Sequence, residues 1–191
     1  MEEANKYLKE GELTQITPQV KKVVNQIPEE DRKFIEGLFN WVKEGGYFRK
    51  LPEKEERKLL DAEHLQRTVN QILESHYAIA CGEKTMVFIA LCRAKGIPAK
   101  YVEAVGLDFL RAKTDEHVHT HAFAEVYLQG RWWLVNPDAM KIYNKIDYEK
   151  YGYIKWVEGT DTRDLTDKEG RHYSWRNFNE FIRDALAFKR R

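Results

Sequence analysis

Cysteine is nearly absent: the 191 residues hold two, Cys81 and Cys92. If both lie on one helix, their eleven-residue separation is about 16 Å of rise, too far for a disulfide. A disulfide-stapled scaffold is therefore excluded, and two free thiols fit a reducing compartment. Long apolar runs are lacking as well. The longest, Met86 to Cys92, falls far short of a membrane span, and the first residues, MEEANKYLKE, have neither the basic nor the apolar region of a signal peptide. The expectation is a soluble, cytoplasmic protein with no membrane partner. Excess charge of either sign is missing too: 32 lysines and arginines face 31 acidic residues, which removes the electrostatic case for nucleic acid. There is no internal repeat and no low-complexity segment. The 42% of apolar residues, with 13% aromatics, suffice for one core. The expected organisation is one domain over 1–191, with a lead-in at 1–33, a core at about 34–138 and an extension at 139–191.

The front half is helical in pattern. The first sixteen residues read as a short or frayed helical lead-in. Pro18 and Pro28 stand at helix starts, and Glu29, Glu30 and Asp31 complement the dipole of a helix running to about Lys43. Its inner face is Phe34, Leu38, Trp41 and Val42, and Gly45 and Gly46 end it. The alternating charges from Arg49 to Lys58, around Pro52, predict a solvated loop. Asp61 is expected to cap a helix with the stripe Leu65, Val69, Ile72 and Leu73.

That helix leads into Cys81–Val102, CGEKTMVFIALCRAKGIPAKYV, the stretch that organises the chain. Gly96 is placed for a left-handed C-terminal cap, and Pro98 forbids continuation. Apolar residues spread around more than one face, which predicts a buried helix. A cysteine in its first turn lies at the positive end of the macrodipole, which favours thiolate.

After Pro98 the period changes. Tyr101–Leu107, His119–Leu128 and Arg131–Val135 read as strands, with Gln129 and Gly130 as a two-residue hairpin turn. The fold class is α+β: a helical N-terminal half, with the buried cysteine helix packed on a small antiparallel sheet. From Met140 to Tyr173 the pattern is mixed, and Tyr143, Tyr148, Tyr151, Tyr153 and Trp156 either cover the core edge or line a cleft. A last helix, capped by Ser174 or Asn177, carries Phe178, Phe181, Ile182, Ala185 and Leu186 on one face.

A thiol nucleophile needs a base and a group that orients the base. His117, His119 and His121 alternate on one strand face. The hairpin register places Asp138 opposite His121 and Asn136 opposite Phe123, all on that face, so either could orient His121. The same three imidazoles would equally suit a metal site, a reading of a different class.

The segments CGEKTMVFIALCRAKGIPAKYV and HAFAEVYLQGRWWLVNP resemble the core of the transglutaminase-like superfamily, and FNWVKEGGY (Phe39–Tyr47) resembles the helix and tyrosine that precede that core. The resemblance spans roughly Phe34 to Asp138 and implies a papain-like thiol site. It makes Cys81 the nucleophile and selects His121, followed by Ala122 and Phe123, as the base. The family's third member is an aspartate directly before a proline, and here Asn136 precedes Pro137. Asn136 is the expected orienter, as asparagine is in papain-like enzymes, with Asp138 as the alternative. His119 then borders the site, and Trp41 is a candidate second oxyanion donor beside the Cys81 N–H. No cofactor or metal is implied. The expected activity is hydrolysis of a protein or peptide amide through a thioester. The alternatives are glutamine acyl transfer, peptide N-glycanase activity, or a noncatalytic binding module on the same fold.

Overall fold

The change of period after Pro98 is where the chain passes from helices to sheet. A computed structural model describes residues 2–27, 30–44, 48, 51–63, 66–115, 118–163, 165–166, 172–173 and 178–191. The helices are α1 (Glu2–Asn5), α2 (Pro18–Val24), α3 (Asp31–Glu44), α4 (Glu53–Glu63), α5 (Val69–Ser75), α6 (Ala80–Ala94), α7 (Leu107–Arg111) and α8 (Phe178–Lys189). The strands are β1 (Ala99–Gly106), β2 (Thr120–Leu128), β3 (Arg131–Asn136), β4 (Lys141–Tyr143), β5 (Tyr153–Gly159), β6 (Leu165–Thr166) and β7 (His172–Tyr173). They form one antiparallel sheet in the order β4-β3-β2-β1-β5-β6-β7, so the fold is α+β as expected. The mixed stretch after Met140 contributes four of the seven strands, and β5 lies against β1 inside the sheet.

α6 is the centre of the core because it is apolar on every side. From Gly82 to Arg93 only Lys84 escapes full burial. It packs on the sheet face that carries Ala99, Tyr101, Val105, Ala122, Ala124 and Val126, with α2, α3 and α5 contributing further to the same core. The opposite face holds a smaller cluster of Val102, Ala104, Phe123, Leu134 and Tyr148. Gly96, at φ +85°, closes α6: its N–H bonds Arg93 C=O and the Ile97 N–H bonds Cys92 C=O, both at 2.9 Å. Gln129 and Gly130, with φ of +53° and +81°, make the tight turn that sets Leu128 opposite Arg131 and Ala124 opposite Val135.

Three local expectations need correction. The Arg49–Lys58 stretch is not a loop throughout, because α4 begins at Glu53. Glu53, Glu55 and Glu56 fill its first turn, where the dipole favours acids, and mixed charge is what an exposed helix carries. Asp61 lies inside α4, and the cap of α5 is Thr68. Its hydroxyl accepts the Gln71 N–H at 3.3 Å, while Gln71 Oε1 accepts the Thr68 N–H at 2.8 Å. The lead-in is short but not frayed. The Arg93 guanidinium, 3% exposed, donates to the carbonyls of Tyr7, Ala99 and Thr160 and to Thr14 Oγ1, and the Leu13 N–H bonds Asp161 Oδ2 at 2.7 Å. Pro28, Glu29, Gly45, Gly46, Tyr47, Leu65, Ser174 and Asn177 lie outside the described residues. Among those described, no helix is long and apolar enough to cross a membrane.

A Cβ at Gly96 would meet no neighbour within 4 Å, so a substitution there costs backbone conformation alone. Gly96→Ala should destabilise the protein by about 1–2 kcal/mol, the cost of a left-handed residue with a side chain, read as a lower urea midpoint with unchanged m-value.

Candidate active site

The site forms where β3 lets go of β2. Their last pair is Ala124 with Val135, and the next hydrogen-bonded pair in this register would be Ala122 with Pro137. Proline has no N–H to give the Ala122 C=O, the pairing ends before it, and neither backbone group of the buried Ala122 is paired with β3. The first turns of α6 satisfy both. Cys81 Sγ accepts the Ala122 N–H at 3.4 Å, and Thr85 Oγ1, one turn on, donates to the Ala122 C=O at 3.4 Å. The thiol is thereby seated against the residue that follows His121.

The approach to Cys81 is built around a buried ion pair. Glu83, fully buried, accepts the Ile79 N–H at 2.6 Å and both Nε (2.9 Å) and Nη2 of Arg67. Arg67 reaches further, to Ser75 Oγ and the Tyr77 C=O, each at 3.1 Å. These bonds fix the turn from Ser75 to Ala80, in which His76 (φ +55°) and Ala80 (φ +52°) adopt left-handed backbone. A non-glycine residue in that region directly before the thiol is a strained feature that its surroundings must hold.

His121 Nε2 lies 3.0 Å from Asn136 Oδ1. The same oxygen accepts the Ala139 N–H at 3.0 Å, and a backbone N–H can only donate. That fixes the amide: Oδ1 faces both groups, so Nε2 of His121 carries the proton and Nδ1 of the neutral ring is left with its lone pair. The other proposed orienter, Asp138, is paired with Lys84 Nζ at 2.5 Å.

Burial of Cys81 Sγ and His121 favours the neutral form of each. It pushes the Cys81 thiol up to about 12, assisted by the negative charge of Glu103, against which the N–H groups of Ala122 and Cys81 itself pull only in part. It lowers His121 below the usual imidazole range, which the Asn136 hydrogen bond and the Asp138 charge oppose. The helix-start position therefore does not by itself yield a thiolate at rest. Glu103 was not apparent as a site residue, although an acid between Tyr101 and Val105, on the apolar face of β1, was the available signal. It is 2% exposed, accepts the Tyr101 O–H at 2.5 Å, and is the cross-strand partner of Ala122. Burial raises its carboxyl to about 7.

His119 has partners of its own. Its Nδ1 lies 2.8 Å from both Asp108 oxygens and its Nε2 3.2 Å from the Tyr153 O–H. A Cβ at Gly106 would come within 2.4 Å of Asp108 Oδ1 and 2.7 Å of His119 Nδ1, so this cluster requires the glycine. The Tyr153 ring also lies against His121, with centroids 5.6 Å apart, and thus joins the two histidines. Of the tyrosine-rich stretch, Tyr148 and Trp156 are core and Tyr153 reaches the site. Trp41 stands apart on α3, its indole N–H on Gln26 Oε1 at 3.3 Å. His117 lies outside the described residues, and among those described no three His, Cys, Asp or Glu side chains converge as a metal site would require.

Glu103 generates a pH-dependent prediction. The unfolded chain loses this proton near the ordinary value of 4.5 and the folded protein near 7, so stability falls as pH rises through that window. Glu103→Gln should raise the thermal midpoint at pH 8, by the equivalent of roughly 3 kcal/mol at most, and leave it unchanged at pH 4. It should also move the onset of Cys81 alkylation by iodoacetamide to lower pH, because a negative neighbour is gone.

A family model, that of the transglutaminase-like superfamily, matches residues 19–137. Among solved structures, a candidate cysteine protease of Cytophaga hutchinsonii superposes with a TM-score of 0.58 at 18% identity, covering 84% of this chain and 48% of that one. The chain thus spans about half the length of that protein, and at this identity the likeness shows the fold. Calcium-bound LapG of Legionella pneumophila matches at a TM-score of 0.40 and 12% identity, over 91% of this chain and 98% of its own. No curated protein matches the sequence as a relative. With the family model spanning more than half its length, the chain belongs to the transglutaminase-like superfamily.

Proposed function

We propose that this protein is a thiol hydrolase of protein or peptide amides, with Cys81 as nucleophile, His121 as general base and acid, and Asn136 as orienter. The observation that carries the reading is the tautomer of His121. Asn136 Oδ1, already committed to the Ala139 N–H, binds the protonated Nε2 and leaves Nδ1 basic, while Cys81 is docked on the next residue along the strand.

The chemistry starts from the neutral pair. As Sγ attacks the amide carbonyl, its proton passes to Nδ1 of His121, giving a tetrahedral intermediate and an imidazolium. The backbone N–H of Cys81, at the start of α6, is the donor placed for the oxyanion. Collapse breaks the C–N bond, and the imidazolium protonates the leaving amine. Water, deprotonated by the same nitrogen, then attacks the thioester, and cleavage of the C–S bond releases the acid and the thiol. A lysine amine in place of water would make the reaction an acyl transfer. Asn136 keeps the ring aligned at each step without adding charge.

Incubation with a panel of peptide amides, followed by mass spectrometry, should reveal an acyl adduct on Cys81 and none on Cys92, which is fully buried. Released acid identifies hydrolysis, and an amine conjugate formed in the presence of a lysine analogue identifies transfer. Absence of any adduct or turnover would leave a binding module on the same fold. Asn136→Ala should reduce turnover by about 10- to 1,000-fold, whereas Asp138→Asn should have a small effect because Asp138 is paired with Lys84. The reverse ranking would assign the orienting role to Asp138.

A further inference from the structure

Cys81, Lys84 and Phe88 follow one another at i, i+3 and i+7, so they share one stripe of α6. Down that stripe from the thiol lies a cavity of about 490 Å³, walled by Leu38, Val42, Phe48, Leu51, Phe88 and Met140. Its far wall includes Pro137, directly after Asn136, so it opens between the two segments that carry the nucleophile and the orienter. Of the charges bordering it, Lys84 and Asp138 pair at 2.5 Å with about a third of each side chain exposed, and Lys43 and Glu56, of opposite sign, also line it. A charged group entering among the apolar side chains would lose its hydration there. The size falls within the range of ligand pockets and exceeds that of one aromatic side chain. By helical rise, Lys84 is about 4.5 Å and Phe88 about 10 Å along the axis from Cys81, the span of one to three residues of an extended peptide.

We infer that this cavity is a specificity site for a bulky apolar side chain, of the phenylalanine, leucine or methionine class, close to the carbonyl that Cys81 attacks. The inference rests on the thiol-enzyme reading and adds the substrate class. Discrimination in such a pocket comes from apolar surface removed from water, so phenylalanine should be preferred to alanine by about tenfold or more.

Two measurements on the full chain test it. In the first, N-acetyl dipeptide chloromethyl ketones carrying Phe, Leu, Ala, Asp or Lys at each position compete for Cys81, with iodoacetamide as the reagent without a side chain. Phe or Leu probes should label at least about tenfold faster than Ala, Asp or Lys probes at one position. Val42→Trp, which fills the cavity from a half-buried position of α3, should bring that ratio close to one. Met140→Asp, on an exposed residue, serves if the first variant does not fold. In the second, the methyl resonances of Met140 and Val42 are followed as N-acetyl-phenylalanine amide or N-acetyl-aspartate amide is added. Shifts with the first compound alone support the site. Labelling blind to the side chain, or methyl shifts alike for both amides or absent, would overturn it while leaving the thiol chemistry intact. Methyl shifts specific to decanoate would overturn it in favour of a lipid site. If the methyls respond to the phenylalanine amide but no probe labels Cys81 faster than free cysteine, the pocket stands and the thiol-enzyme reading falls.

Discussion

Ala122 has two backbone groups that the sheet cannot satisfy, and the position of the reactive thiol depends on that shortfall. A buried N–H or C=O without a partner costs as much as several favourable contacts return, so it must find one. Pro137 cannot donate to the Ala122 C=O, β3 leaves β2 at that point, and the start of α6 supplies Thr85 Oγ1 to the C=O and Cys81 Sγ to the N–H. The donor that proline lacks is thus replaced by a hydroxyl of α6, at the point where the helix meets the strand. The same proline turns the chain so that Asn136 is the last residue of β3 and faces His121.

The electrostatics run against the simplest view of a cysteine at a helix start. Dipole and N–H donors favour thiolate, but at this site they are outweighed by loss of water and by the Glu103 charge. Both shifts favour a neutral thiol and a neutral imidazole, so on the proposed reading charge separation belongs to the reaction itself. Asn136 fits that arrangement better than a carboxylate would, since it fixes the tautomer without stabilising an imidazolium in advance.

Much of this was legible in the residues because it depends on local rules. Gly96 and Pro98 announced the end of α6, Gln129–Gly130 the hairpin, and counting back from that turn gave the register that places Asn136 on the face of His121. What escaped depends on contacts distant in sequence. Glu103 reads as an ordinary strand residue until β1 is laid beside β2, and Arg67 as a surface charge until Glu83 is brought to it. The charges at the start of α4 alternate in sign, a pattern that solvated turns and exposed helices share and that the residues alone do not separate. Strand β5 was hidden among tyrosines whose spacing followed neither period cleanly, and its bulge at β1 residues Glu103 and Ala104 explains why.

The buried carboxyl beside the thiol bears on oxidation as well as on catalysis. Peroxide attacks the thiolate, and the sulfenate, sulfinate and sulfonate it produces are polar or charged species that burial disfavours as it does the thiolate. Glu103 adds to that cost at the pH values where it is ionised. The burial and charge that raise the Cys81 thiol thus also disfavour its oxidation, and on the proposed reading they preserve the nucleophile between turnovers.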